Sequence, residues 1–300
     1  MIIVFYGEGR LGNQLFQYQA LSRLAGRAGR IFAVGLEDLA STVELLSTRV
    51  SILTRRPGLK RVVKYLLVPL LLRPLSRGLR LFSYATEKQS GNGSRRGADG
   101  EVFLRPGLIS SIVFVEGGHY QNASLWGGQF PATSVRVLPA LRAAAREILV
   151  TSGPAHLPRA FVHVRRGDYL SYSSYGLRDL SLPGSFYRAA IAALTDRLGA
   201  LQLVFVTDDP GWVESEFADV PGKYLVSLNQ SLDFAVMTEC TAGVLSNSTY
   251  SLAAALLVDG PRLLIGPRYW FGFRIREWLP PKIRFDHPRL VYLAAASEPT

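Results

Sequence analysis

Residues 160–169 read AFVHVRRGDY, an apolar run interrupted by one histidine and ending on two arginines and an aspartate. The run is short enough for a strand and apolar enough to be covered on both faces, as strands of a parallel sheet are. The pattern continues outward from it. A helix is expected near 184–198, then the strand LQLVFV (201–206), a helix near 211–217 and the strand KYLV (223–226). A helix at 231–239, the strand AGVLS (242–246), a helix at 249–257 and the strand RLLIG (262–266) complete the series. Strands alternating with helices predict an α/β domain whose parallel sheet carries helices on both faces.

Toward the amino terminus the alternation starts in the same way and then loses regularity. A strand at 2–6, a helix about 15–28 and a strand about 31–34 make a β-α-β start, with a further strand expected at 111–115 and a helix near 138–149. SGNGSRRGADG (90–100) has the composition of a surface loop, and TSGPAHLP (151–158), with two prolines and a glycine, reads as an interdomain linker. The expected domains are therefore 1–152 and 153–300.

Composition narrows the function classes. With 48% hydrophobic and 11% aromatic residues, the 300-residue chain can fill two cores. A single cysteine, Cys240, excludes an intramolecular disulfide framework, and four scattered histidines lack zinc spacing, so no metal site is expected. No signal-peptide pattern opens the chain, which makes the cytoplasm the expected location. The formal charge of +11 attracts polyanions: nucleic acid, phosphorylated ligands or an acidic membrane. Nucleic acid is not the expected partner, because the arginines are spread over both halves and no recognised binding motif is present. VVKYLLVPLLLRPLSRGLRLF (62–82) is interrupted by Lys64, Pro69, Arg73 and Pro74 before about 18 apolar residues accumulate, so it is not expected to span a bilayer. Two readings stay open for it: an interfacial helix pair turning the basic residues of 60–82 toward lipid headgroups at the inner face of the plasma membrane, or a buried helix with a solvated rim.

Three strands of the second half end in polar clusters: HVRRGDY (163–169), TDDP (207–210) and SNST (246–249). Ligands bind at that edge of open parallel sheets. Two adjacent guanidiniums, Arg165 and Arg166, suit a pyrophosphate, and the alternative is a surface pair with Asp168 as salt-bridge partner. Ser248 and Thr249 precede an apolar helix and either meet a phosphate oxygen or simply cap it. Asp208 and Asp209 either contact a ligand or serve the dipole of the helix that follows, and Asp233 has the same helix-opening alternative. His163 is either a core histidine or a ligand contact.

GEGRLGNQLFQ (7–17) follows the first strand, and its Gly7, Gly9 and Gly12 satisfy the G-x-G-x-x-G spacing, with Glu37 near the place of a ribose-binding acid. An NAD- or FAD-dependent oxidoreductase is one reading of that turn. It leaves HVRRGDY and SNST without a role.

GRLGNQLFQY (9–18), HVRRGDY (163–169), VFVTDDPGW (204–212) and DFAVMTECTAGVLSNSTYSLAAALL (233–257) together resemble the ordered motifs of bacterial α-1,2-fucosyltransferases, glycosyltransferase family 11. GHYQNASLWGG (118–128) is similar to that family's mid-chain aromatic-glutamine motif, and the HxRRxD signature is shared with α-1,6- and protein O-fucosyltransferases. The resemblance implies a GT-B-like architecture of two Rossmann-like domains facing a central cleft. It also implies GDP-β-L-fucose as donor, transfer with inversion to a galactose-terminated glycan or lipid-linked oligosaccharide, and neither metal nor other cofactor. Carried over by motif, Arg165 and Arg166 hold the donor diphosphate, His163 and Asp233 contact guanine and ribose, and Thr249 with Ser248 meets a phosphate. Gly12 and Asn13 belong to a first-domain loop facing the diphosphate. Asp208 joins the donor contacts, and Asp168 or Glu8 is the candidate base. SLAAA (251–255), in place of a tryptophan-containing run, and Glu8 depart from the family pattern and leave the acceptor open.

Overall fold

The computed structural model describes residues 1–26, 28–46, 49–53, 61–88, 101–122, 125, 135–257 and 263–295. The loop expected at 90–100, Lys60, Arg262 and positions 123, 124 and 126–128 of the mid-chain motif lie outside the described residues. The chain divides into two compact units, Met1–Arg136 and Val137–Thr300.

The first unit opens with β1 (Ile2–Tyr6), α1 (Leu11–Ala25), β2 (Arg30–Val34), α2 (Glu37–Thr42), β3 (Val43–Leu45) and β4 (Val50–Ile52). Two helical stretches with i→i+5 hydrogen bonding, Val63–Leu72 and Pro74–Gly78, lead to β5 (Phe82–Lys88), β6 (Glu101–Arg105) and β7 (Ile109–Glu116). The sheet order is β4-β2-β1-β7-β5-β6, with parallel pairing throughout except for antiparallel β6 at the edge. β4-β2-β1 is one half of a Rossmann sheet. α1 starts at Leu11, four residues earlier than the expected 15, because Gly9 turns the chain at φ +88° and Arg10 is already an extended N-cap. Gly12 and Asn13 therefore stand in its first turn, not in a loop. The helix ends on Gly26 at φ +61°, in the left-handed region that glycine enters freely.

β8 (Val135–Val137) lies at the boundary, followed by α3 (Pro139–Thr151), β9 (Arg159–Val164), the short pair β10 (Ser173–Ser174) and β11 (Leu177–Arg178), and α4 (Gly184–Leu198). β12 (Gln202–Thr207), α5 (Pro210–Glu216), β13 (Tyr224–Val226) and α6 (Gln230–Glu239) continue the unit. β14 (Ala242–Val244), α7 (Thr249–Leu256), β15 (Leu263–Pro267) and β16 (Leu290–Leu293) complete it. The order β13-β12-β9-β14-β15-β16 is parallel throughout. Renumbered from β9, it is the 3-2-1-4-5-6 order of a Rossmann fold. Helix starts follow local chemistry: Asp209, Asn229 and Ser248 accept amide hydrogens as side-chain caps, and Pro139 and Pro210 occupy first turns.

The domain boundary falls between Arg136 and Val137 instead of the expected 152/153. Arg142 and Arg146 of α3 each reach Glu239 of α6 at 2.7 Å, which fixes α3 to the second unit. TSGPAHLP is consequently a helix-to-strand loop, with Ser152 buried and Arg159 Nε donating to the Leu149 carbonyl at 2.9 Å. The core of the unit joins β9, β12 and β14 to α4 and α5 through Val162, Phe186, Phe205, Val213, Phe217 and Val244, each at most 1% exposed.

Candidate active site

β9 lies between β12 and β14, so the polar clusters that follow these three strands share one edge of the sheet. Connections leave the central pair in opposite directions, which opens a crevice at the β9/β14 switch point. His163 on β9 and Ser246 beyond β14 meet there, Nδ1 to Oγ at 2.7 Å, both buried. Burial, and then the Arg165 charge, push the His163 pKa down to about 3. At neutral pH the imidazole is an uncharged hydrogen-bonding group. Its ring also packs on Tyr250 of α7, with centroids 5.4 Å apart.

The loop after β9 carries the arginine pair, and the loop after β12 holds it. Arg165 pairs with Asp168 at 2.7 Å and Asp208 at 2.6 Å, while Arg166 Nε reaches Asp209 at 3.2 Å. The Arg166 guanidinium lies over the Trp212 ring at 4.2 Å. The Arg165 guanidinium stands 5.6 Å from the Tyr169 ring. Both guanidiniums are under one-fifth exposed, so they are fixed in place before any ligand arrives. Asp208, expected among the ligand contacts, braces this loop: Oδ1 accepts from the Arg166 and Gly167 amides at 2.9 and 3.3 Å and Oδ2 takes Arg165. Asp209 both caps α5, accepting from the Trp212 amide at 3.1 Å, and steadies Arg166. Asp168 is the salt-bridge partner of Arg165 that the sequence offered as one alternative.

On the other side of β9, Ser248 caps α7 by accepting from the Tyr250 amide at 3.3 Å, and Thr249 is the first residue of that helix. A helix N-terminus beside these hydroxyls is the kind of place that suits an anion. Asn247 is fully buried, donates to the Leu180 carbonyl at 2.7 Å and accepts at its own carbonyl from the Tyr169 hydroxyl at 3.3 Å. It thereby ties SNST to the arginine loop. Asp233 does not cap α6, since Asn229 does so by accepting from Leu232 at 3.1 Å. Asp233 accepts the Leu228 amide at 3.1 Å, and burial pushes its pKa up to about 6.

That shift predicts a pH dependence. The unfolded carboxyl titrates near 3.9, so the folded form holds its proton more tightly; this contribution is complete below about pH 4 and is lost as pH rises through about 6. Asp233→Asn is expected to be more stable than the parent above pH 6, with the gap closing at pH 4 in urea titrations. An unchanged gap across that window would contradict the shift.

In the first unit, Gly9 at φ +88° lies against Asn13, whose amide nitrogen would stand 2.8 Å from a Cβ at that position. Gln14 donates to the Gly9 carbonyl at 2.9 Å, and Gln17 to the Glu8 and Gly118 carbonyls at 2.7 Å each. Asn13 Oδ1 accepts from Gln121 at 3.0 Å, which joins GRLGNQ to the mid-chain motif. The Glu8 charge acts on His119, whose burial lowers its pKa. Gly12 and Asn13 thus belong to a braced turn of the first unit. Glu8 lies in the same unit, and the other candidate site residues belong to the second.

Trp212, Tyr169 and Asn247 were not singled out by the sequence reading. Trp212 had a signal: it stands three residues after Asp209, inside the first turn of α5, where a ring can return over the preceding loop. A cavity of about 230 Å³ lined by Arg268, Tyr269, Trp278, Arg284 and Tyr292 includes none of the residues above. Among the described residues, no group of three or more His, Cys, Asp or Glu side chains is placed to hold a metal ion.

The two Rossmann-like units define the fold of GT-B-like glycosyltransferases. POFUT1 in complex with GDP has a TM-score of 0.52 at 12% identity, covering 88% of this chain and 98% of that one. POFUT1 in complex with GDP-fucose scores 0.51 at 11% identity, covering 88% and 97%. The family 9 glycosyl transferase of Veillonella parvula DSM 2008 scores 0.52 at 10% identity, covering 100% and 88%. At these identities the likeness is one of fold. Residues 140–270, which carry the arginine loop, the TDDP turn and SNST, match the model of glycosyl transferase family 11. The O-antigen biosynthesis glycosyltransferase WbnK of Escherichia coli is 31% identical over 116 residues, 37% of this chain and 38% of that protein. The match thus spans well under half of that relative.

Proposed function

We propose that this chain is an inverting, cytoplasmic, metal-independent glycosyltransferase that moves L-fucose from GDP-β-L-fucose to O2 of a galactose-terminated glycan. The observation that carries the reading is the fixed Arg165–Arg166 pair that follows β9, with the neighbouring strand β14 leading to a helix N-terminus that begins Ser248–Thr249. Support comes from the family 11 match over that segment and from the shared fold of POFUT1, whose structures hold GDP or GDP-fucose.

Departure of GDP places charge on the β-phosphate, and two arginines aimed at it do the work a divalent cation does elsewhere. Asp208, Asp209 and Trp212 fix their positions in advance, so little reorganisation accompanies the reaction. Amides at the start of α7, with Thr249, add neutral donors to the same anion. His163, uncharged and held by Ser246, is suited to a neutral heterocycle, and Asp233 to a ribose hydroxyl. Of the two candidate bases, Asp168 orients Arg165, and Glu8 makes no ion pair with an arginine among the described residues. Asn13 enters from the family motif alone. Asn13→Ala is expected to lower turnover while leaving GDP affinity within about twofold.

The test is incubation with GDP-fucose and a terminal galactoside in EDTA, with the product followed by NMR. The reading expects GDP release that depends on acceptor and a new α-anomeric signal. A β-linked product, or transfer only from a UDP-sugar, would overturn it.

A further inference from the structure

The helical stretch Val63–Leu72 and its continuation Pro74–Gly78 bury one narrow stripe and expose the rest. Val63, Val68 and Leu72 pack against Tyr6, Val34, Tyr84 and Phe114 of the first unit. That stripe anchors the segment to the unit, and most of its apolar residues stay outside it. Tyr65 is 65% exposed, Leu66 54%, Leu70 70% and Leu79 76%. Leu108, 85% exposed, extends the same surface, since its amide donates to the Arg80 carbonyl at 2.8 Å. Contiguous exposed side chains of this size mark an interaction surface, not scattered surface leucines.

Charge says what covers it. The sequence carries no acidic residue from Leu45 to Thr86. Arg61, Lys64, Arg73, Arg77 and Arg80 are interleaved with the apolar side chains, and all are exposed. Glu116 of β7 faces this group from the sheet and pairs with Arg73 and Arg77, so Arg61, Lys64 and Arg80 are the cations not engaged by it. A second copy of the same face would set cation against cation, which is costly in an apolar interface. A bilayer with anionic headgroups satisfies both parts at once, taking the leucines into the acyl boundary and the basic residues at the phosphates. The described residues contain no helix long and apolar enough to cross a membrane, so the contact is with one surface.

We propose that the Val62–Arg80 face docks the chain on an anionic bilayer surface. The inference is independent of the transferase reading; taken with it, lipid-linked glycans become the acceptors to test first.

Cosedimentation of the full chain with vesicles tests it. Vesicles of phosphatidylcholine with one-third phosphatidylglycerol are expected to pellet the chain at least tenfold better than phosphatidylcholine alone, and 0.5 M salt is expected to weaken this several-fold. Leu70→Glu with Leu79→Glu, at two exposed positions, should abolish pelleting. A thermal midpoint within 2 °C of the parent, and an unchanged response to GDP, would show that this variant is folded. Equal pelleting on both vesicle types, pelleting by the double variant, or a parent dimer that this variant dissolves would each overturn the proposal, the last in favour of a second copy.

Discussion

Arg166→Lys is expected to lose nearly as much turnover as Arg166→Ala, about 10²–10³-fold in kcat, the scale of removing one preorganised donor from a developing anion. The reason is geometric. Arg166 uses Nε on Asp209 at 3.2 Å and lays its plane over Trp212 at 4.2 Å, which leaves the far edge of a rigid fork for the diphosphate of the proposed donor. A lysine ammonium keeps the charge but has neither the plane nor the fork. Trp212→Ala, by freeing that plane, is expected to cost about tenfold while Asp209 still holds Nε. Steady-state kinetics with GDP-fucose at saturating acceptor separate the cases. Near-parental turnover in Arg166→Lys would mean that the site needs charge alone and would remove the geometric argument.

The second large effect concerns the fold beneath the site. Gly243→Ala is expected to destabilise the second unit by about 3 kcal/mol, at the upper end of what overpacking a filled core costs, and to lower its midpoint by about 6–12 °C for a domain of this size. In an ordinary strand the change would gain about 0.5–1 kcal/mol through glycine's lost backbone entropy. Here the new Cβ would stand 2.1 Å from the Phe161 ring, which is fully buried on the neighbouring strand. Phe161 lies on β9, the strand that leads into the arginine loop, so the strain falls at the base of the site. Calorimetry checks the sign, and a raised midpoint would contradict the packing.

The second unit was legible in the sequence because its strands are continuous apolar runs. AFVHV, LQLVFV and LLIG have few residues that fit elsewhere, and the turns between them carry caps such as Asp209 and Ser248. β5 was not legible. Ser83 and Glu87 are buried, accepting from the Gly107 and Tyr120 amides at 3.0 and 2.8 Å, so polar residues that read as solvent-facing sit inside. The two prolines and the glycine of TSGPAHLP suggest a domain boundary, although turn residues serve equally between a helix and the strand it feeds. At the site, Arg165, Arg166 and Ser248 could be found by their place after apolar strands. Their relation to Asp208 could not, because one carboxylate bracing two backbone amides and a guanidinium 43 positions earlier has no local signature. The glycine triplet of GEGRLG shows the opposite failing: its spacing suits a dinucleotide turn, yet Gly9 lies against Asn13 in a turn that Gln14 and Gln17 brace.

The measurement that bears most directly on the central claim is a thermal-shift titration with GDP, UDP and NAD in parallel, in buffer and again with EDTA. A ligand at 100 times its dissociation constant stabilises by about 2.7 kcal/mol, a shift of several degrees. The account predicts that GDP raises the midpoint, that EDTA leaves the rise intact, and that UDP and NAD leave the midpoint in place. A rise with NAD and none with GDP would return the opening glycine turn to the dinucleotide reading and contradict the assignment of the arginine pair to a guanosine diphosphate.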